Sequence, residues 1–250
     1  MLQRLVIDPA RIQSPTIWLT ADQHHYLTRV LRLKAGDHFV AMDGQGHSWL
    51  VTLELTHPPQ ASIVETVEVQ TELPIAITLV VALPKGNTLD DVVRQATELG
   101  VSCIAPVISD RTLLNPSSQK LERWRRIAQE AAEQSERQQV PTILEPIAFT
   151  DHLQKVAQSS LASPHYLCAT RHNAPHLLPL LSSHSYPPPA LSIAIGPEGG
   201  WTEPELNDAI AAGYQPVSLG SRILRAVTAP IVALSMIVAV YEGGMVGQRE

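Results

Sequence analysis

From Ile75 onwards, short apolar runs alternate with longer segments that have one apolar face, and this alternation constrains the fold more than any other feature. The runs at 75–83, 103–108 and 191–195 are continuous, as in strands that are covered on both faces. Between such runs, segments such as 117–138 place apolar residues at helical spacing with charges opposite. This pattern predicts a parallel sheet sandwiched between helices, and therefore an α/β domain.

The first 70 or so residues follow a different pattern, with short runs of β-branched and aromatic residues separated by Pro, Gly and Asp. The runs at 38–42 and 49–55 flank Asp43-Gly44-Gln45-Gly46, a turn sequence that predicts a hairpin. We therefore expect a small β-barrel-like domain over residues 1–72 and a larger α/β domain over residues 73–250.

Composition excludes several classes of protein. Of 250 residues, 44% are hydrophobic and 17% are charged, which is typical of a globular protein. The net charge of −6 argues against a protein that coats nucleic acid, although it allows a local basic patch. Cys103 and Cys168 lie in separate apolar runs, as buried thiols of a reducing compartment do. The apolar run at 229–241 is shorter than the roughly 20 residues that span a bilayer, so we expect a buried helix, no membrane contact and a cytoplasmic location.

A glycine-rich turn, Gly196 to Gly200, comes directly before a predicted helix that Thr202 and Glu205 would cap. Glycine lets the backbone approach a ligand closely, so the turn is either a tight connection or a ligand-binding loop. Ligands of α/β sheets bind beyond the carboxyl ends of the strands. The segments 169–171 and 219–225 are expected at the same edge.

Two segments carry a resemblance to a known family: Gly196-Pro197-Glu198-Gly199-Gly200-Trp201-Thr202-Glu203-Pro204-Glu205-Leu206 and Leu219-Gly220-Ser221-Arg222-Ile223-Leu224-Arg225. They resemble the signature of the ribosomal RNA small-subunit methyltransferase E family of the SPOUT superfamily. Its members methylate N3 of a uridine in 16S ribosomal RNA. The segments 96–101 and 130–137, and His25 with 29–33, are also similar to the family, so the resemblance covers the whole chain.

The resemblance implies a PUA-like β-barrel followed by a trefoil-knotted, parallel-sheet SPOUT domain, a homodimer, and S-adenosylmethionine as cofactor. The apolar helix at 229–241 fits a dimer independently, because a helix that is apolar all round needs cover on every side, from a core or from a partner subunit. The resemblance also places the cofactor contacts after three strands, at Leu167, Ala169, Thr170, Ile195, Gly196, Pro197, Glu198, Gly199, Gly200, Leu219, Gly220, Ile223, Leu224 and Arg225.

Methylation of uracil N3 requires that its proton leave, so a base or a positive group that stabilises the uracil anion is needed. Arg225 is the candidate for the second role, and a salt bridge across the dimer is the alternative. Many family members have a glutamate where this chain has Val227, and a lysine where it has Gln95. Two other hypotheses therefore stand: a catalytically silent RNA-binding protein of ribosome assembly, and a methyltransferase of this fold that acts on a different RNA base.

Two basic clusters are candidates for RNA contact: Arg29, Arg32 and Lys34 with His25 on a helix predicted at 21–31, and Arg123, Arg125 and Arg126 on the long helix. Each cluster either binds phosphates or is a solvated helix face. The pairs His24–His25 and His172–His176 lack the cysteines or carboxylates that would complete a metal site, so we predict no metal.

Overall fold

The computed structural model describes residues 2–68, 70–112, 116–158, 163–169, 174–183 and 187–242. These residues form two compact units. The first contains the chain up to Glu72 together with Ala132–Val140, and the second contains Leu73–Ala131 and the described residues from Pro141 onwards.

The first unit is built on a six-stranded sheet with the order β1-β4-β5-β6-β3-β2. β1 and β4 are parallel, and the other neighbouring strands are antiparallel. The predicted hairpin is confirmed, because β4 and β5 pair across the turn in which the Asp43 carboxylate accepts hydrogen bonds from the backbone of Gln45 and His47. The strands are β1 Arg4–Val6, β2 Ile12–Gln13, β3 Thr16–Trp18, β4 His38–Met42, β5 Ser48–Glu54 and β6 Gln60–Thr66.

The helix predicted at 21–31 has two parts. Helix α1, Ala21–His25, starts at a capping box in which Thr20 and Gln23 bond each other's backbone. It continues as a π-helical turn, Tyr26–Val30. The chain then leaves the helix at Arg32, whose φ of 61° lies in the left-handed region.

The second unit contains a seven-stranded sheet with the order β10-β8-β7-β12-β11-β13, in which β9 also pairs with β8. All of these pairs are parallel, as the alternation of strands and helices predicts. Its elements are β7 Ala76–Ala82, α2 Thr88–Glu98, β8 Cys103–Ile108, α3 Ser118–Gln134 (whose C-terminal end belongs to the first unit), β9 Thr142–Ile143, β10 Ile147–Ala148, α4 Phe149–Gln158, β11 His165–Cys168, α5 Leu177–Ser182, β12 Ala190–Ile195, α6 Glu203–Ala211, β13 Tyr214–Val217 and α7 Thr228–Tyr241. The predicted fold class is confirmed, whereas the trefoil knot stays a prediction.

Two predicted boundaries are wrong. The short apolar run Val217-Ser218-Leu219 predicts the last strand, but that strand covers Tyr214–Val217 and ends at the residue that pairs with Cys168. The long helix ends at Gln134 and not at 138, because Glu136 adopts a φ of 61° that no right-handed helix can contain. The short elements β2, β9, β10, α4 and α5 were not predicted.

Helix α7 is apolar on all sides, as expected. Ala233, Leu234 and Ile237 are fully buried, and the helix packs against α2, α5 and β12 of its own chain. Ser235 and Ala239 are exposed. No helix among the described residues is both long and apolar enough to cross a membrane.

A polar cluster lies at the amino-terminal edge of the second sheet. His152 Nε2 and the Tyr214 hydroxyl share a hydrogen bond of 2.9 Å, and His165 Nδ1 lies 2.6 Å from Ser192 Oγ. Burial, together with the nearby His165 and Lys155, lowers the pKa of His152 from 6.5 to about 4. His152 is therefore a neutral hydrogen-bonding group at neutral pH.

Candidate active site

Three neighbouring parallel strands, β12, β11 and β13, end side by side, so the loops that follow them share one edge of the sheet. A cavity of about 1420 Å³ opens there, with walls from all three loops. Pockets for small ligands usually measure about 300–1,000 Å³. The cavity is therefore large enough for a nucleoside-sized molecule and a second reacting group.

The structure brings most of the predicted cofactor residues together at this cavity. Leu167 does not line it, because the side chain is fully buried in the core of the sheet. Thr170 lies outside the described residues. The predicted residues that line the cavity are Ala169, Ile195, Gly196, Pro197, Glu198, Gly199, Gly200, Leu219, Gly220, Ile223, Leu224 and Arg225.

The glycine-rich turn is both a tight turn and a wall of the cavity. A hydrogen bond of 2.8 Å from Gly200 N–H to the Pro197 carbonyl closes it, and Gly200 has a φ of 71°. At Gly196 a β-carbon would lie 3.2 Å from the Trp201 ring. That ring stacks on Phe149 with 4.3 Å between centroids, so it has little freedom to yield.

Backbone donors without partners surround the cavity. The N–H groups of Gly196, Ile223 and Leu224 have no hydrogen-bond acceptor within the described part of the chain. The indole Nε1 of Trp201 is buried and likewise unpaired among these residues. A buried donor in a native protein is normally paired, so Trp201 Nε1 fits a bound molecule that supplies an acceptor atom. The three backbone N–H groups are further donors that such a molecule could use in place of water.

The Glu205 carboxylate, at the start of α6, connects the segment after the glycine turn to the loop after β8 by hydrogen bonds. Glu205 is only 4% exposed. It accepts hydrogen bonds from the backbone N–H groups of Thr202, at 2.8 Å, and Asp110, at 2.9 Å. The Thr202 hydroxyl also donates to the Asp110 carboxylate at 3.0 Å. The predicted capping box is confirmed, and its glutamate has an additional partner 95 residues earlier in the chain.

Arg111, which sequence reasoning missed, lies in this same loop after β8 and lines the cavity. Its guanidinium donates to the carbonyl oxygen of Gly199. Its Cδ lies 2.9 Å from the point where a β-carbon on Gly199 would stand, so the Arg111 side chain would have to shift if Gly199 were replaced. The only signal in the sequence is the position of Arg111 shortly after a predicted strand.

Cys168 and His176 also lie on the wall of the cavity. Burial raises the pKa of the Cys168 thiol to about 12, so this sulfur stays protonated and is a poor nucleophile. His176 caps α5, where its Nδ1 accepts from the Leu178 N–H at 3.2 Å, so the neutral ring carries its proton on Nε2. Its predicted pair His172 lies outside the described residues.

Arg225 lies on the cavity wall, three residues before α7 begins. Its carbonyl oxygen accepts from the N–H groups of Thr228 and Ala229, both at 2.9 Å, which fixes its backbone. The guanidinium is exposed and has no carboxylate within 4.0 Å among the residues that the structure describes. Val227 also lines the cavity, and its side chain offers no proton acceptor.

The two predicted RNA-binding clusters differ in their ion pairs. His25, Arg29, Arg32 and Lys34 are all exposed, and within the described ranges none forms a salt bridge. On α3, by contrast, the cations have carboxylate partners. Arg123 Nε donates to Asp90 at 2.8 Å, Arg125 pairs with Glu122 at 2.7 Å, and Arg126 lies 3.8 Å from Glu130.

The chain matches the model of an RNA methyltransferase domain over residues 71–238. It also matches the model of an RNA methyltransferase PUA domain over residues 19–65. The parallel sheet and the glycine-walled cavity are thus those of an RNA methyltransferase, joined to a PUA-like domain.

Comparison with individual relatives identifies the family of RNA methyltransferases to which the chain belongs. The chain is 49% identical to ribosomal RNA small subunit methyltransferase E of Synechocystis, over 97% of this chain and 79% of the relative. It is 30% identical to the protein of that name from Bacillus subtilis, over 94% of this chain and 96% of the relative. The chain belongs to the ribosomal RNA small subunit methyltransferase E family.

Solved structures agree with this assignment. A ribosomal RNA small subunit methyltransferase E from Neisseria gonorrhoeae, bound to S-adenosyl methionine, is 30% identical and superimposes with a TM-score of 0.86, covering 96% of this chain and 98% of that one. A methyltransferase from Legionella pneumophila in complex with the same cofactor is 28% identical, with a TM-score of 0.81 and the same coverage of the two chains.

Proposed function

We propose that this protein transfers the methyl group of S-adenosylmethionine to N3 of a uridine in 16S ribosomal RNA of the small subunit. One observation carries the proposal. In a chain of this family, the glycine turn 196–200 and the loop 219–225 form adjacent walls of one cavity at the carboxyl edge of the sheet.

The cavity fits the cofactor. The unpaired N–H groups of Gly196, Ile223 and Leu224 match the ring nitrogens and hydroxyl groups of an adenosine. Gly196 lacks room for a side chain beside Trp201, so the backbone itself faces the ligand. These loops would hold the cofactor mainly through main-chain atoms. When bound, S-adenosylmethionine supplies an electrophilic methyl group.

The protein's own side chains must then position the uracil and favour its anion. Holding the N3 atom in line removes much of the entropic cost of the reaction. Arg225 is permanently charged and has no carboxylate partner among the described residues, so it is suited to stabilise the negative charge that develops on uracil. Val227 cannot act as a base, which makes this electrostatic contribution more important.

The rest of the molecule serves RNA binding and assembly. We propose that residues 1–72 form the RNA-binding domain, with His25, Arg29, Arg32 and Lys34 at the RNA. Residues 73–250 form the catalytic domain, with a trefoil knot. Two copies of this chain form a homodimer that buries the half-exposed side of α7, and the enzyme acts in the cytoplasm, where its ribosomal substrate is found.

Methyl transfer by the purified protein to small ribosomal subunits that lack the mark tests the proposal. We expect one methyl group per subunit, and mass spectrometry should place it on N3 of a uridine. Arg225→Ala should lower kcat by about 10²–10³-fold, the usual effect of removing one electrostatic contact to a developing anion. Arg94→Ala removes an exposed, ion-paired arginine on α2 and should leave kcat unchanged.

Two outcomes would contradict the proposal. Binding of S-adenosylmethionine without methyl transfer would indicate the silent RNA-binding protein. A methyl group on another base would indicate an enzyme of the same fold with a different target.

A further inference from the structure

We infer that Arg111 binds a phosphate group of the RNA strand beside the target nucleotide. The inference rests on the proposed function, because it assigns a substrate contact to the same cavity. Arg111 lies outside the three predicted loops, and its position shortly after a predicted strand is its only signal in the sequence.

The position of Arg111 separates it from the predicted cofactor residues. It follows β8, and the strand order β8-β7-β12-β11-β13 places β8 two strands from β12, on the side away from β11 and β13. Neighbouring strands lie about 4.8 Å apart, so the base of this loop is roughly 10 Å from that of the glycine turn. Arg111 therefore approaches the cavity from the side opposite to the loops after β11 and β13.

The guanidinium of Arg111 has unused binding capacity. It is exposed, and one of its five N–H donors bonds the Gly199 carbonyl. No carboxylate neutralises it among the described residues, in contrast to Arg94, Arg123 and Arg125. A neutral carbonyl leaves the full positive charge available. A phosphate group, with its matching fork of oxygens, is the anion that this arrangement suits best.

Hydrogen bonds hold residues 109–112, the described part of the loop that carries Arg111. Ser109 N–H donates to Thr112 Oγ1 at 3.0 Å, and Thr112 N–H donates to the Ser109 carbonyl at 2.9 Å. Asp110 is bonded to Glu205 and Thr202, so its carboxylate is directed to α6 and not to Arg111. A cation on such a preorganised loop loses little entropy when it binds a phosphate.

The test compares the wild type, Arg111→Ala and Arg111→Lys in binding to small subunits that lack the methyl mark, at several salt concentrations. We expect Arg111→Ala to bind about tenfold more weakly or worse. The slope of log K against log[salt] should fall by about 0.7–0.9, the value for one phosphate. Arg111→Lys should keep most of the slope, because lysine also binds phosphate as a point charge. Arg94→Ala, which also removes an exposed arginine, should change neither quantity.

The affinity for S-adenosylmethionine, measured by calorimetry, identifies the source of the anion. We expect it to be unchanged in Arg111→Ala. A loss of cofactor affinity would assign Arg111 to the cofactor carboxylate and overturn the inference, as would an unchanged salt slope. Absence of methyl transfer by the wild type would refute the proposed function instead, whereas methyl transfer with RNA binding that is independent of Arg111 would refute only this inference.

Discussion

Glu205 joins the start of α6 to the loop after β8, and replacing it with glutamine tests how much the cavity depends on this contact. The carboxylate is almost fully buried and accepts from the backbone N–H groups of Thr202 and Asp110. Glutamine has nearly the same shape but only one acceptor oxygen. If that oxygen keeps the bond from Asp110, the amide NH₂ group faces the Thr202 N–H, a donor against a donor.

The expected loss of stability follows from these contacts. Leaving one buried donor unpaired costs about 1–3 kcal/mol, and the remaining bonds weaken when the acceptor loses its charge. We therefore expect Glu205→Gln to lower the free energy of unfolding by about 2–3 kcal/mol. For a chain of this size each kcal/mol corresponds to roughly 2–4 °C, so the thermal midpoint should fall by about 4–12 °C.

Differential scanning calorimetry at neutral pH measures the effect. Asp208→Asn is the matched control, because Asp208 lies on the same helix and loses the same charge, but its side chain is exposed. The affinity for S-adenosylmethionine should also fall in Glu205→Gln, since the start of α6 is joined to the glycine turn. A thermal midpoint equal to that of Asp208→Asn would show that the buried carboxylate does not hold α6 to the loop after β8.

Two further predictions concern the basic cluster at Arg29 and Arg32 and the buried His152. Reversing both charges, Arg29→Glu with Arg32→Glu, should weaken RNA binding and leave the affinity for the cofactor unchanged. Arg94→Glu is the control. Unchanged RNA affinity in the double variant would remove this cluster from the interface. Acidification should destabilise the fold through His152. Its pKa in the folded protein is about 4, below the unfolded value of 6.5, so the unfolded state takes up the proton first. The stability of the protein therefore falls as the pH drops from 6.5 to 4. His152 contributes at most about 3 kcal/mol to this change in stability. Chemical denaturation should therefore show that the free energy of unfolding depends less on pH in His152→Gln than in the wild type. Equal pH dependence in the two proteins would contradict the role of His152.

Much of the fold could be predicted because its strongest signals are local. The strands β8 and β12 are continuous apolar runs, and their buried faces need no knowledge of distant residues. The capping box at Thr202 and the end of α2, where Gly100 follows Glu98 by two residues with a φ of 84°, depend on the backbone of a few adjacent residues. Elements too short to show a period could not be recognised, such as α5 with its internal proline.

The candidate site was predictable only in part, because its decisive contacts are not local. The hydrogen bond from Arg111 to Gly199 joins residues 88 positions apart, and the hydrogen bond from Asp110 to Glu205 joins residues 95 positions apart. Nothing in either segment specifies its partner, since that depends on the order of the strands. The sequence pattern indicated a ligand loop or a tight turn at 196–200. Only the family resemblance indicated the cofactor.

The substitution at Val227 is best understood from the charges of the whole cavity. Of the described residues on its walls, Arg111, Arg222 and Arg225 are cationic, and Glu198 and Glu203 are acidic. The Glu198 carboxylate already accepts a hydrogen bond of 3.0 Å from the Lys85 N–H. A glutamate at position 227 would add a negative charge two residues from Arg225 and compete with uracil for its guanidinium. Under the proposed mechanism, valine at this position leaves the Arg225 guanidinium available to stabilise the uracil anion.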